Sequence, residues 1–140
     1  MKKVMTIISH LKQNWSTPQH ATHRGKLTAF RFICEFNEPG RDLQETFPFI
    51  LPDDLKDFWK TIDGAVLFKD VDYGQWGLEI FSPDTALKKT AMTKNENEQD
   101  FKDYDLIIGS FLGDLELLVI SCDKNSTDFN KVIVSLPLDG

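Results

Sequence analysis

No acidic residue occurs before Glu35. The first 34 positions carry six cations, Lys2, Lys3, Lys12, Arg24, Lys26 and Arg31, and all three histidines. The other ten Lys and Arg share residues 35–140 with all 22 Asp and Glu, so the net charge of −6 joins a basic head to a body of net −12. An acidic body repels phosphate, which argues against nucleic acid as its direct partner. It suits a basic protein, whose approach opposite charge accelerates. Cysteine is scarce. Cys34 and Cys122 lie in apolar surroundings, which reads as two buried free thiols in a reducing cytosol rather than a disulfide framework. Long apolar runs are missing too. None approaches the ~18 residues of a membrane span. Two lysines precede apolar residues at the start, but Ser9, His10 and Lys12 interrupt the run and no small-residue cleavage site follows. Export is therefore not expected, and the cytoplasm is the expected location. Asn14-Trp15-Ser16 and Asn125-Ser126-Thr127 are then chance matches to the glycosylation pattern.

Recognisable catalytic constellations are absent as well. There is no G-x-S-x-G elbow, no H-E-x-x-H and no phosphate-binding glycine loop. Asp70-Val71-Asp72-Tyr73-Gly74 resembles a calcium loop, but its glycine comes one position early and Phe81 stands where a bidentate Glu belongs. His20 and His23 have no carboxylate or thiol neighbour in sequence; zinc takes three or four ligands, so they read as exposed loop histidines. No metal, no cofactor and no catalytic residue is expected.

What is present is enough for one domain. The chain has 140 residues, 41% of them AVILMFWYC, with 11 Phe and 3 Trp. A chain near this length buries about 70% of its unfolded surface and needs no staple. Val4, Ile7, Ile8, Leu11 and Trp15 recur at helical spacing and predict an amphipathic helix over 2–15. Pro18 to Gly25 reads as a loop. Phe30, Phe32, Cys34 and Phe36 alternate with Arg31, Ile33 and Glu35, which favours a strand over the alternative of a buried helix in so apolar a run, ended by a turn at Glu38-Pro39-Gly40. Pro52 can open a helix over about 52–62, with Asp53 and Asp54 favouring its N-terminal dipole and Gly64 capping its end. Two short strands in 65–81 flank the acidic loop. Ser82 caps a third helix with Pro83 in its first turn. Leu106–Phe111 and Leu115–Cys122 flank Gly113-Asp114 as a hairpin, and a last strand spans 131–136. Helices and hairpins without regular βαβ alternation predict an α+β single domain, an antiparallel sheet of about five to six strands against about three helices.

Leu51-Pro52-Asp53-Asp54-Leu55-Lys56-Asp57-Phe58-Trp59-Lys60-Thr61-Ile62-Asp63-Gly64 resembles the signature of the SUKH superfamily, a Leu-Pro followed by a helix with an aromatic and then an Asp-Gly. Gly77-Leu78-Glu79-Ile80-Phe81 with the Ser82 helix is similar to the next family block. Ile107-Ile108-Gly109-Ser110 with Gly113-Asp114-Leu115 resembles a later one. The likeness covers about residues 50–136. The stretch 24–49 departs from it, being richer in Phe and more strand-like, and the sequence stops at Gly140 where members often continue into a helix. The resemblance implies a non-enzymatic role. Its bacterial members are cytoplasmic immunity proteins that bind a cognate polymorphic toxin, often a nuclease; its fungal members are cell-wall-assembly regulators.

The expected contact residues are Asp70, Asp72, Tyr73 and Trp76 on one loop, with Asp114 and Glu116 at the hairpin. Tyr and Trp beside charges have the composition of an interface hot spot. Two other readings use the same domain: an intracellular regulatory scaffold, and a small-ligand domain with a pocket lined by Trp59, Trp76 and Phe81.

Overall fold

The computed structural model describes residues 2–38, 50–96, 101–113 and 116–135. The chain runs α1 (Lys2–Trp15), β1 (Gln19–His23), β2 (Lys26–Asn37), α2 (Asp53–Thr61), β3 (Gly64–Asp70), β4 (Leu78–Ile80), α3 (Pro83–Glu96), β5 (Asp105–Phe111), β6 (Leu117–Ser121) and β7 (Val132–Ser135). All seven strands form one antiparallel sheet in the order β1 to β7. The α+β architecture is the expected one. The strand beyond the expected six is β1, which lies where a loop was read. Gln19–His23 is polar and shows no alternation. Its turn is Arg24-Gly25, both at positive φ (52° and 77°), the geometry of a two-residue type I′ hairpin. Arg is a rare occupant of the first position, so the usual hairpin signal is missing. Pro39 and Gly40 of the turn expected at 38–40, and the Asp114 end of the later hairpin, lie outside the described residues.

Two apolar clusters hold the helices on the sheet. The larger joins Leu51, Leu55 and Trp59 of the α2 region to Phe81, Ala86 and the centre of β5 and β6. Leu106, Ile107 and Ile108 are buried in succession, as are Leu118, Val119 and Ile120, so both faces of the sheet are covered there. The smaller joins Ile8 of α1 to Ile62 and Ala65. Only Ile8 of the α1 stripe is fully buried; Ile7 is exposed.

The helix ends follow partly from the sequence. Ser82 Oγ accepts from the Thr85 N–H at 3.3 Å, the expected cap of α3. Gly64 does not cap α2. The helix ends at Ile62, which is extended and donates its N–H to the Phe58 carbonyl. Gly64 instead begins β3 at φ 145°, where a Cβ would come within 3.1 Å of the Ile80 carbonyl oxygen. Its requirement is room for a neighbouring strand, not a left-handed helix end.

Trp59 and Phe81 belong to this core. Trp59 is 2% exposed and donates Nε1–H to the Phe81 carbonyl at 2.9 Å. Trp76 is 58% exposed elsewhere on the molecule. The pocket expected between these three residues is therefore not formed.

Candidate functional site

Antiparallel order places the end of β3, the start of β4, the end of β5 and the start of β6 at one end of the sheet. The loop from Val71 to Gly77 lies there. Asp70 ties it together at both ends. Its N–H donates to the Trp76 carbonyl at 3.0 Å, and its own carbonyl accepts from the Gly74 N–H at 2.9 Å. Its Oδ1 accepts from the N–H groups of Asp72 and Tyr73 at 2.9 and 3.0 Å, an Asx-type turn. Asp70 is fully buried, and its Oδ2 has no partner among the described residues. A carboxylate used in this way holds the loop and presents no charge to a partner. The expectation that Asp70 itself makes contact gives way to a positioning role.

Asp72 is committed as well. Its Oδ1 accepts from Arg31 Nη2 at 2.7 Å. Oδ2 accepts from the Arg31 N–H at 2.8 Å. These hydrogen bonds, the guanidinium's first, hold the Asp72 carboxyl below the usual carboxylate range, and the same pair raises Arg31. The charge of Asp72 is largely answered within the chain.

The aromatic members of the loop are exposed. Tyr73 is 68% exposed and meets Phe30 edge-on, with centroids 5.0 Å apart at 77°, a favoured geometry for aromatic pairs. Trp76 is 58% exposed. The β5–β6 turn leans on the same loop. Leu112 N–H donates to the Gly77 carbonyl at 2.9 Å. A Cβ on Gly113, at φ 77°, would fall 2.5 Å from the Gln75 carbonyl oxygen. Phe111 N–H closes the turn onto the Glu116 carbonyl at 3.2 Å, and Glu116 is half-buried. The structure thus brings Glu116 and the loop of Tyr73 and Trp76 to one end of the sheet. Asp114 lies outside the described residues.

Sequence reasoning missed a cleft beside Trp76. It has a volume of about 590 Å³ and is lined by Arg24, Lys26, Leu27, Thr28, Ala29, Phe30, Phe32 and Trp76. β2 pairs with β3 only as far as Phe32 opposite Asp70, while its first six residues run on beyond the end of β3. The β1–β2 hairpin overhangs and its underside is open. The overhang also bulges: two extra β2 residues enter the ladder between Arg31, opposite His20, and Leu27, opposite Thr22. Thr28 Oγ1 accepts from the orphaned Ala21 N–H at 3.1 Å, and His20 Nδ1 donates to the Thr28 carbonyl at 2.8 Å. A hairpin reading of Arg24-Gly25 would have been the signal for this cleft.

Among the described residues, no group of three or more His, Cys, Asp or Glu is placed to hold a metal, and no helix is long and apolar enough to cross a membrane. Fold and site together define a small α+β domain that presents aromatic side chains on a tied loop next to an open strand. Residues 41–139 match the SMI1 / KNR4 family (SUKH-1), and the chain belongs to that family. No match was found among curated proteins or among solved structures.

Proposed function

We propose that this chain is a non-enzymatic, cytoplasmic immunity protein that binds and neutralises a cognate polymorphic toxin, a basic domain such as a nuclease. The observation that carries the reading is the pair of exposed aromatics, Tyr73 and Trp76, on a loop tied at both ends through buried Asp70. Preorganised Tyr and Trp cost little entropy on binding and are the usual anchors of protein interfaces. Glu116 sits at the adjoining turn and supplies negative charge beside the anchors. Asp70 and Asp72 act through the loop they hold. The body of net −12 supplies long-range attraction for a partner built to receive phosphate.

Co-expression with the toxin domain encoded beside its gene tests this. The chain should bind that domain and restore growth. Tyr73→Ala and Trp76→Ala should each weaken the complex by about 2 kcal/mol, roughly 30-fold in Kd. Failure to bind that domain would sink the reading. Binding that leaves the neighbour fully active would favour the regulatory-scaffold role instead.

A further inference from the structure

We propose that the cleft beneath the β1–β2 overhang is a strand-addition site for an extended segment of a partner protein in which apolar residues alternate with Asp or Glu. The backbone provides the first argument. β2 residues 26–31 have a strand neighbour, β1, on one side only, because the β3 pairing stops at Phe32. Asp72 and the Val71 N–H cover that open side at Arg31. Among the described residues no backbone hydrogen bond joins residues 27–30 to anything on the Trp76 side. Five successive residues, 26–30, line the cleft. A cleft across one face of a strand touches alternate residues; one that touches them all runs along the edge. An open edge offers donors and acceptors at the spacing of another backbone, which a peptide matches and a compact small molecule does not.

Side chains specify the occupant. Leu27 is 70% exposed and Trp76 58%; with Phe30 and Phe32 they give the cleft its apolar lining. Its volume of about 590 Å³ is ample for one or two large side chains. The rim is cationic. Arg24 and Lys26 are exposed, and no carboxylate among the described residues pairs with either. They belong to the 34 residues that contain no acid. In a chain of net −6 this cationic rim is complementary to a negative segment. Seven of the eight lining residues precede residue 41, where the family match begins. The site is thus a property of this chain's own head. It shares Trp76 with the proposed toxin contact, but its test needs no toxin.

A phage-displayed library of random nine-residue peptides, selected on the purified chain, tests it. The enriched peptides should alternate apolar residues with Asp or Glu. Amide resonances of residues 26–30 and the Trp76 indole should shift on titration with the best synthetic peptide. The Arg24→Glu/Lys26→Glu variant, whose fold is checked by its amide spectrum, should bind that peptide about tenfold or more weakly. Methylating alternate backbone nitrogens of the peptide should abolish binding. Four results would each overturn the proposal: no enrichment, enrichment of basic peptides, unchanged affinity for the charge-reversed variant, or unchanged affinity of the methylated peptide. Leu27→Ala, a milder exposed change, is the control should the double variant fail to fold. It must weaken the same peptide, and undiminished binding by it also overturns the proposal.

Discussion

Asp70 and Asp72 stand two positions apart and do different work. Asp70 spends one carboxylate oxygen on two loop amides while fully buried. Removing it leaves those amides to water and releases the loop. Asp70→Ala should cost about 1–2 kcal/mol of unfolding free energy and speed hydrogen exchange at the Tyr73 amide. Asp70→Asn keeps the acceptor and should retain most of the protection. Equal exchange in all three proteins would remove Asp70 from its positioning role. Asp72 acts through charge. Its folded carboxyl is depressed by Arg31, so its contribution is fully present above the unfolded value of about 3.9 and is lost as pH falls through the lower folded value. A carbon-detected titration should place the Asp72 carboxyl below the ordinary range. Asp72→Asn should flatten the acid limb of stability against pH. An ordinary titration would break the proposed link between β2 and the loop.

At the scale of elements, the docking of α3 on the sheet turns on a hydroxyl. The β5–β6 ladder shifts register between Ile107 and Gly109, and the buried Ile107 N–H donates to Thr90 Oγ1 at 2.8 Å. Thr90→Val keeps the shape and strands that donor, so it should lower stability by about 1–3 kcal/mol, measured by denaturant unfolding, while Thr90→Ser should recover most of the loss. Elements marked by strong local chemistry were legible beforehand: Ser82-Pro83 opened α3, the periodic Leu55, Phe58, Trp59 and Ile62 marked α2, and Gly113 marked a hairpin. β1 was not, because a polar edge strand carries no hydrophobic alternation and its turn begins with Arg24. The candidate site was legible by half. Tyr and Trp beside charge are visible as letters, so Tyr73 and Trp76 could be named from the sequence, and the structure exposes both. The burial of Asp70 and the pairing of Asp72 with a residue 41 positions earlier depend on strand register, which no local pattern encodes. The cleft was invisible for the same reason, since it exists only because β2 outruns β3.

Across the whole molecule, charge is divided between a head of 34 residues that holds no acid and a body that holds all 22. Part of the basic head is answered by acids beyond it: Arg31 by Asp72 at 2.7 Å and Lys12 by Glu38 at 3.1 Å. Arg24 and Lys26 are left at the cleft rim, facing away from that pattern. The two proposals therefore pull in opposite directions on the same two residues. A basic toxin domain is drawn by the net charge, so Arg24→Glu/Lys26→Glu, which makes the chain more negative, should raise its association rate several-fold at low salt. The same variant should lose the acidic peptide. Screening supplies the check, because the Debye length shrinks from about 10 Å at 0.1 M to about 3 Å at 1 M. In stopped-flow mixing the gain in association rate should vanish at 1 M salt, whereas dissociation, governed by Tyr73 and Trp76, should change little. A variant that slowed capture of the toxin domain would show that the rim belongs to the toxin interface, and would merge the two proposed surfaces, which already share Trp76.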